Sequence, residues 1–406
     1  MLGDKLYLKG IRILNRIKDL VNDVSFSQGV RRGRIHTAKI IPNKEAGERR
    51  LVFKPHTNER IEQIPIYNFI SEGSFTIDYP EINLWEISEA VVVGEADYVI
   101  LNNNCVIWPK YYNYNYPHNI PLDANYIKEE KGFLCFYYSG SKEEINVAFS
   151  LLGVFSNVWA HAVVEYFPKL VALKEVLESN NDKITVLVPP YKDEQLKKLI
   201  FDFLNPLNVT IHIVEKGEAV KVKKLFYMER TAKFTDNEYS IYPGDCAIPT
   251  KVSEILKCYL IDRYPVKLND IYRKLYLDRS GGNGKTIEEA GLIKELFVNN
   301  GYKVVEPHKV SLEEKITMFQ SAEMIAGPLG GAFTNLFLCR PGTKVLMFSN
   351  FHRQFENYLS MVKTHFNVDI LYIYGYDNKN VKNPTHCSYS IPVKKVKDAA
   401  KMLGIL

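Results

Sequence analysis

The 406-residue sequence predicts an α/β protein with a doubly wound, Rossmann-like C-terminal domain. From residue 150 onward, short strand-like runs alternate with helix-length amphipathic segments, the pattern of a parallel sheet. Two strand–helix junctions are rich in glycine: "DRSGGNGKT" at 278–286 and "AGPLGGAFTN" at 326–335. Hydrophobic residues make up 46% and charged residues 24%, the balance of an ordinary globular chain with length for two or three domains.

Residues 1–60 hold 14 Lys and Arg against 6 Asp and Glu, a charge of +8 within a net +5. Leu6, Ile11, Leu14, Ile17, Leu20, Val21 and Val24 follow helical spacing, with Lys5, Lys9, Arg12 and Arg16 between them and Arg31, Arg32 and Arg34 beyond. Such a helix fits either an anionic membrane surface or a docked helix with a solvated basic face. Residues 35–150 are strand-rich and irregular, and "PKYYNYNYPHN" at 109–119 reads as a polar aromatic loop.

The regular alternation begins with a helix from about Val158 to Glu178, the strand "ITVLVPP", the helix "DEQLKKLIFDFL" and the strand "VTIHIVE". Residues 230–272 form a less regular connection with a helix near 250–262. Then come the strand 274–278, a helix from Thr286 to Asn300 stopped by Gly301, and the strand "YKVVE". Ser311 and Glu314 form a capping box for the next helix. The strands "EMIAG", "KVLMF" and "DILYIY" bring the domain to five. A terminal helix carries Val393, Val396, Ala400 and Leu403 on one face.

Several classes are excluded. No apolar run reaches the ~18 residues of a membrane span. The N-terminus lacks a secretory pattern, and the six cysteines form no CxxC pair, which disfavours zinc or a disulfide scaffold and suits a reducing cytoplasm. No nucleic-acid motif accompanies the basic head.

The loop 278–286 ends like a triphosphate-binding P-loop, but Arg279 stands where that motif requires its first glycine. The loop lies where open α/β sheets bind ligands, and Arg279 and Lys285 suit an anion. In the second turn Gly330 and Gly331 admit close backbone approach, and Thr334 and Asn335 add polar groups at a helix start. Its spacing is not that of a dinucleotide fingerprint. His161 and Glu165, four apart in "SNVWAHAVVEYFPKL", share a helix face. They fit either a plain helix pair or a base with its orienting partner.

Together these stretches resemble glycosyltransferase family 61. The resemblance rests on "NVWAHAVVEYFPKL", on "LYLDR", and on "GYKVVEPHKVSLEEKITMFQSAEMIAGPLGGAFTNLFLCRPGTKVLMF". It implies a GT-B-like fold, two Rossmann-type domains facing a cleft. The residue pattern divides the chain into a basic segment 1–34, an N-terminal domain 35–265, a C-terminal domain 266–380 and a terminal helix at 381–406 expected to pack back on the N-terminal domain. The resemblance implies inverting, metal-independent transfer of a hexosyl, N-acetylhexosaminyl or pentosyl group from a nucleotide sugar, UDP-linked in most of the family. No cofactor is expected. Arg279, Lys285, Glu306, Gly330, Gly331, Thr334 and Asn335 are expected at the donor, His161 and Glu165 at the reacting hydroxyl.

The implied acceptor is an oligosaccharide or lipid-linked glycan of a bacterial capsule or surface polysaccharide, met in the cytoplasm at the inner membrane through residues 1–34. A phosphotransferase using the 279–286 loop and a degenerate, non-catalytic glycan-binding module are the alternatives. Three departures stand out: Leu329 where many members carry His, Asp278 where Ser is common, and Lys169 where Arg is common.

Overall fold

The computed structural model describes residues 36–41, 43–54, 56–68, 73–79, 81–101, 105–107, 126–130, 133–136, 143–234, 246–279, 287–350, 353–377 and 388–406. The basic segment 1–34, the loop 109–119, Lys285 and Thr286 lie outside these residues. The protein is a mixed α/β structure built on two main sheets.

The second sheet follows the predicted alternation closely. Its five strands lie in the order 303–305, 274–277, 324–328, 344–349, 369–374, and every neighbouring pair is parallel. In chain order this is 2-1-3-4-5, with the reversal of direction between Lys274–Leu277 and Met324–Pro328. Side chains alternate across the pleat. Tyr276, Ala326, Leu346 and Ile373 face Phe297, Val396 and Ala400, whereas Leu275, Ile325, Val345 and Ile370 face Ile316 and Phe319.

Helix Ala290–Val298 starts four residues later than expected, and Gly301 ends its turn at φ 80°. Ser311 accepts from the Glu314 N–H at 3.1 Å, but the Glu314 carboxylate takes the Tyr272 hydroxyl instead of closing the capping box. The terminal helix Val393–Leu403, expected to return to the N-terminal domain, packs instead on the strands Lys344–Ser349 and Asp369–Tyr374 of this second sheet, where its apolar face at Val396 and Ala400 meets Leu346 and Ile373.

The first sheet departs further from a simple alternation. Four strands in the order 210–213, 185–188, 144–150, 219–228 are parallel, but they form one part of an eleven-stranded mixed sheet. Ile82–Val93 pairs antiparallel with Ala219–Met228 and carries the sheet onward into the N-terminal segments. The strand "AVKVKKLFYM" alternates at its start and is wholly buried over its last four residues, so its carboxyl end is covered on both faces.

The two halves share one apolar cluster, in which Val163 and Phe167 join Leu336 and Phe337. Residues 56–67, expected with the first half, also lie on the second. The Tyr67 N–H donates to Tyr372 O at 2.9 Å and the Tyr372 N–H to Pro65 O at 3.0 Å. No helix among the described residues is long and apolar enough to cross a membrane.

Candidate active site

The expected helix from Val158 changes pitch along its length. Trp159–His161 is α-helical, Ala162–Tyr166 forms a π turn, Phe167–Lys169 is 3-10, and Leu170–Ser179 is α-helical again. A π turn re-aims the carbonyls around it. Here Thr231 meets them: its hydroxyl donates to Val164 O at 2.7 Å and its N–H to Glu165 O at 3.3 Å. The backbone distortion is therefore held by the segment that follows the neighbouring strand Ala219–Met228.

This turn places His161 and Glu165 together. The Nδ1 of His161 lies 3.0 Å from Oε2 of Glu165. His161 keeps 21% side-chain exposure, while Glu165 is fully buried. The other oxygen of Glu165 accepts from Arg230 Nη1 at 3.3 Å. Arg230 also forks onto Asp97, its Nε donating to Oδ1 at 3.1 Å and its Nη2 bonding Oδ2. The Tyr166 hydroxyl donates to Val154 O at 2.7 Å and reaches Asp97 Oδ1 at 3.1 Å.

Asp97–Arg230–Glu165–His161 is thus a continuous polar chain with one end at the surface. With Nδ1–H donating to the carboxylate, Nε2 carries the ring's lone pair and is the basic nitrogen. Glu165, expected at the reacting hydroxyl, reaches no solvent in this arrangement and acts on His161.

The loop before the helix is shaped for this chain. Phe155 adopts φ 60°, an uncommon left-handed conformation for a bulky residue, and its ring stacks 4.9 Å from the His161 ring. At Gly153 a Cβ would fall 2.4 Å from both Asp97 Oδ1 and the Tyr166 hydroxyl. Lys169 is buried behind the chain, 4.8 Å from the Tyr166 ring. Burial pulls its ammonium down to about 7, with Glu165 and Glu229 opposing the shift.

A cavity of about 460 Å³ opens between the two halves; its lining reaches Ala160, the residue before His161, but does not include His161 or Glu165. Val158, Trp159 and Ala160 form one wall; Asp278, Arg279, Pro307, Gly330, Gly331 and Asn335 contribute to the other. The second wall lies at the reversal point of the five-stranded sheet, where such folds bind ligands.

Arg279 donates from Nη1 to Leu329 O at 2.6 Å, and burial lowers its affinity for the proton. Gly330 lies flat under it: a Cβ there would meet Arg279 side-chain atoms at 3.3 Å. Leu329 is buried, so its carbonyl anchors Arg279 while its side chain packs inward. Asp278 is met by Lys294 at 3.0 Å.

The other expected donor residues fall differently. Asn335 is buried, and its Oδ1 accepts from the Trp159 indole at 2.9 Å while its Nδ2 donates to Ala332 O at 2.9 Å. It joins the two walls. Thr334 is buried and does not line the cavity. Glu306 pairs with Lys309 at 2.8 Å, and its neighbours Pro307 and His308 line the cavity in its place.

Sequence reasoning missed Asp97, Arg230, Lys315 and Asp193. The last two also line the cavity. Arg230 had a usable signal, being a charge just beyond the buried end of a strand. Asp97 had none, because it comes from a distant segment. Among the described residues, no group of three or more His, Cys, Asp or Glu side chains is placed to hold a metal ion.

The fold and the cavity define an α/β protein with a ligand pocket at a sheet reversal and a histidine–carboxylate pair beside it. Residues 159–346 match the family model described as Glycosyltransferase 61, which places a glycosyltransferase family 61 domain in the chain. The match begins at Trp159 and runs through every cavity residue named above except Val158; it leaves out Asp97. No curated protein matches the chain.

Proposed function

We propose that this glycosyltransferase moves a sugar from a nucleotide-sugar donor to a glycan acceptor by a single, inverting, metal-independent displacement. The observation that carries the proposal is the His161–Glu165 pair beside a cavity whose opposite wall holds Arg279 over the Gly330 turn. The two halves serve as the facing domains of a GT-B-like enzyme, with the donor on the second.

In the reaction, Nε2 of His161 takes the acceptor hydroxyl proton as that oxygen bonds to the anomeric carbon. The bond from that carbon to the donor diphosphate breaks, and the leaving diphosphate is met by the Arg279 guanidinium. Glu165 orients the imidazole and stabilises its charged form. A UDP-sugar donor, a lipid-linked or oligosaccharide acceptor of a bacterial capsule or surface glycan, and action at the cytoplasmic membrane face complete the reading. The basic segment 1–34 supplies the membrane contact.

Thermal-shift measurements against UDP-, GDP-, CMP- and dTDP-sugars test it. We expect at least one to raise Tm by several degrees, and ATP to raise it by none. Stabilisation by ATP alone would favour a phosphotransferase and sink the transferase mechanism. Vesicle co-sedimentation tests the membrane contact; binding that survives removal of residues 1–34 counts against it.

A further inference from the structure

Lys315 is the fourth residue of the helix Leu312–Ser321 and lines the cavity, although the residue is only 3% exposed. Its position is unfavourable on two counts. A cation in the first helical turn opposes the helix dipole, and burial strips it of water. Its Nζ stands 3.4 Å from the centroid of the Trp159 ring, on the opposite wall. The acid that acts on its charge is Asp193, whose Oδ1 is committed to capping a helix through the Gln195 and Leu196 N–H groups at 2.9 and 3.0 Å. No carboxylate among the described residues forms an ion pair with Lys315. Burial lowers its ammonium to about 7, Asp193 opposing. A buried cation facing a cavity without a carboxylate partner is suited to an anionic ligand.

We propose that Lys315 is a phosphate-binding residue of this cavity, holding the diphosphate of a nucleotide donor together with Arg279. The inference rests on the donor reading given above and adds a cation from a separate helix. Two cations from different elements fix a diphosphate in orientation as well as position, and the Trp159 face gives Lys315 a defined resting place. Binding draws a proton onto the fraction of Lys315 that is neutral.

The test is calorimetric titration of the full chain with UDP, GDP and dTDP at pH 8, in two buffers of different ionisation enthalpy. We expect Lys315→Met to weaken the best of these at least tenfold and Lys315→Arg to keep most of the affinity. Proton uptake on binding should be seen in the unmodified chain and be lost in Lys315→Met. Asp193, Asp278, Arg279 and His308 also face the cavity, so it is that loss which assigns the proton to Lys315. Thermal melts check that each variant is folded. Undiminished affinity in Lys315→Met, alongside a large loss in Arg279→Ala, overturns the inference and leaves the donor site standing. If the unmodified chain binds none of the three diphosphates, the donor reading fails and this inference fails with it.

Discussion

The two sides of the cavity are built in opposite ways. On the second sheet, the Arg279 turn is local: a guanidinium, a carbonyl that anchors it and a glycine that makes room, all at the ends of two adjacent strands. On the first, His161, one residue beyond the wall at Ala160, is the tip of a buried chain drawn from three separated segments, with a π turn and a left-handed Phe155 to fit it. A ligand phosphate requires donors that converge on a cavity wall, and short turns and single side chains can supply each of them. A general base requires a fixed tautomer and direction, and that takes buried charge. The first side is therefore the one where distant substitutions should matter.

If that contrast holds, His161→Ala should lower turnover by ~10²–10⁴ while nucleotide binding is unchanged. Assaying transfer and binding on one preparation separates the two sides, and unaltered turnover removes His161 from the mechanism. Arg230→Met tests the depth of the chain. It leaves Asp97 and Glu165 as buried carboxylates without their shared cation, a change that typically costs ~3–5 kcal/mol. Denaturant unfolding should show that loss, together with reduced turnover, although Arg230 lies behind Glu165 rather than in the cavity. A loss below ~1 kcal/mol would mean that water replaces the cation and that the chain is less closed than its geometry indicates.

Legibility in the sequence divides along the same line. The second sheet was readable because parallel strands covered on both faces appear as short apolar runs, and its turns advertise themselves through glycine. Arg279, Gly330 and Gly331 were found that way, and the structure puts all three on the cavity. His161 and Glu165 were found because a four-residue spacing is local. Asp97 and Arg230, 133 residues apart, meet only through the pairing of Ala219–Met228 with Ile82–Val93, which no local pattern announces. Lys315 did leave a trace. A lysine in the first turn of a helix already capped by serine contradicts the dipole, and such a conflict marks a residue placed for something other than helix stability. Asn335, expected beside Gly330 and Gly331, lines the cavity with them, and its bond to the Trp159 indole, which ties the walls together, has no local signal in the sequence.

Lys169 offers a gentler probe of the buried side. Its ammonium titrates near 7 in the folded protein against 10.5 as its ordinary value. Between those pH values the unfolded chain binds the extra proton, so stability rises with pH across the window. The slope from one such group is at most about 1.4 kcal/mol per pH unit. Below about pH 7 both states are protonated and its contribution is flat. Above about 10 the trend reverses, because burial holds Tyr227 and Tyr372 protonated while the unfolded chain ionises. Lys315 adds a slope of the same sign. Lys169→Met should therefore flatten the rise between pH 7 and 10 without abolishing it, as read from urea unfolding at each pH. An unchanged slope would show that Glu165 and Glu229 keep Lys169 charged throughout.

The smallest effect is expected at Asp278, an acid on the wall assigned to a diphosphate. Lys294, from the helix Ala290–Val298, meets it at 3.0 Å with 38% of its own side chain exposed. A half-exposed pair of this kind contributes ~0–1 kcal/mol, so little stability depends on it. Its importance is electrostatic: without Lys294, the carboxylate would repel the diphosphate proposed for this wall. Asp278→Ser removes the acid and leaves Lys294 without that partner, so nucleoside diphosphate affinity should rise, by ~5-fold or less. Lys294→Ala should do the reverse, weakening the diphosphate but not the parent nucleoside. If both variants weaken binding equally, the pair is holding the shape of the 278–279 turn and its charge is incidental.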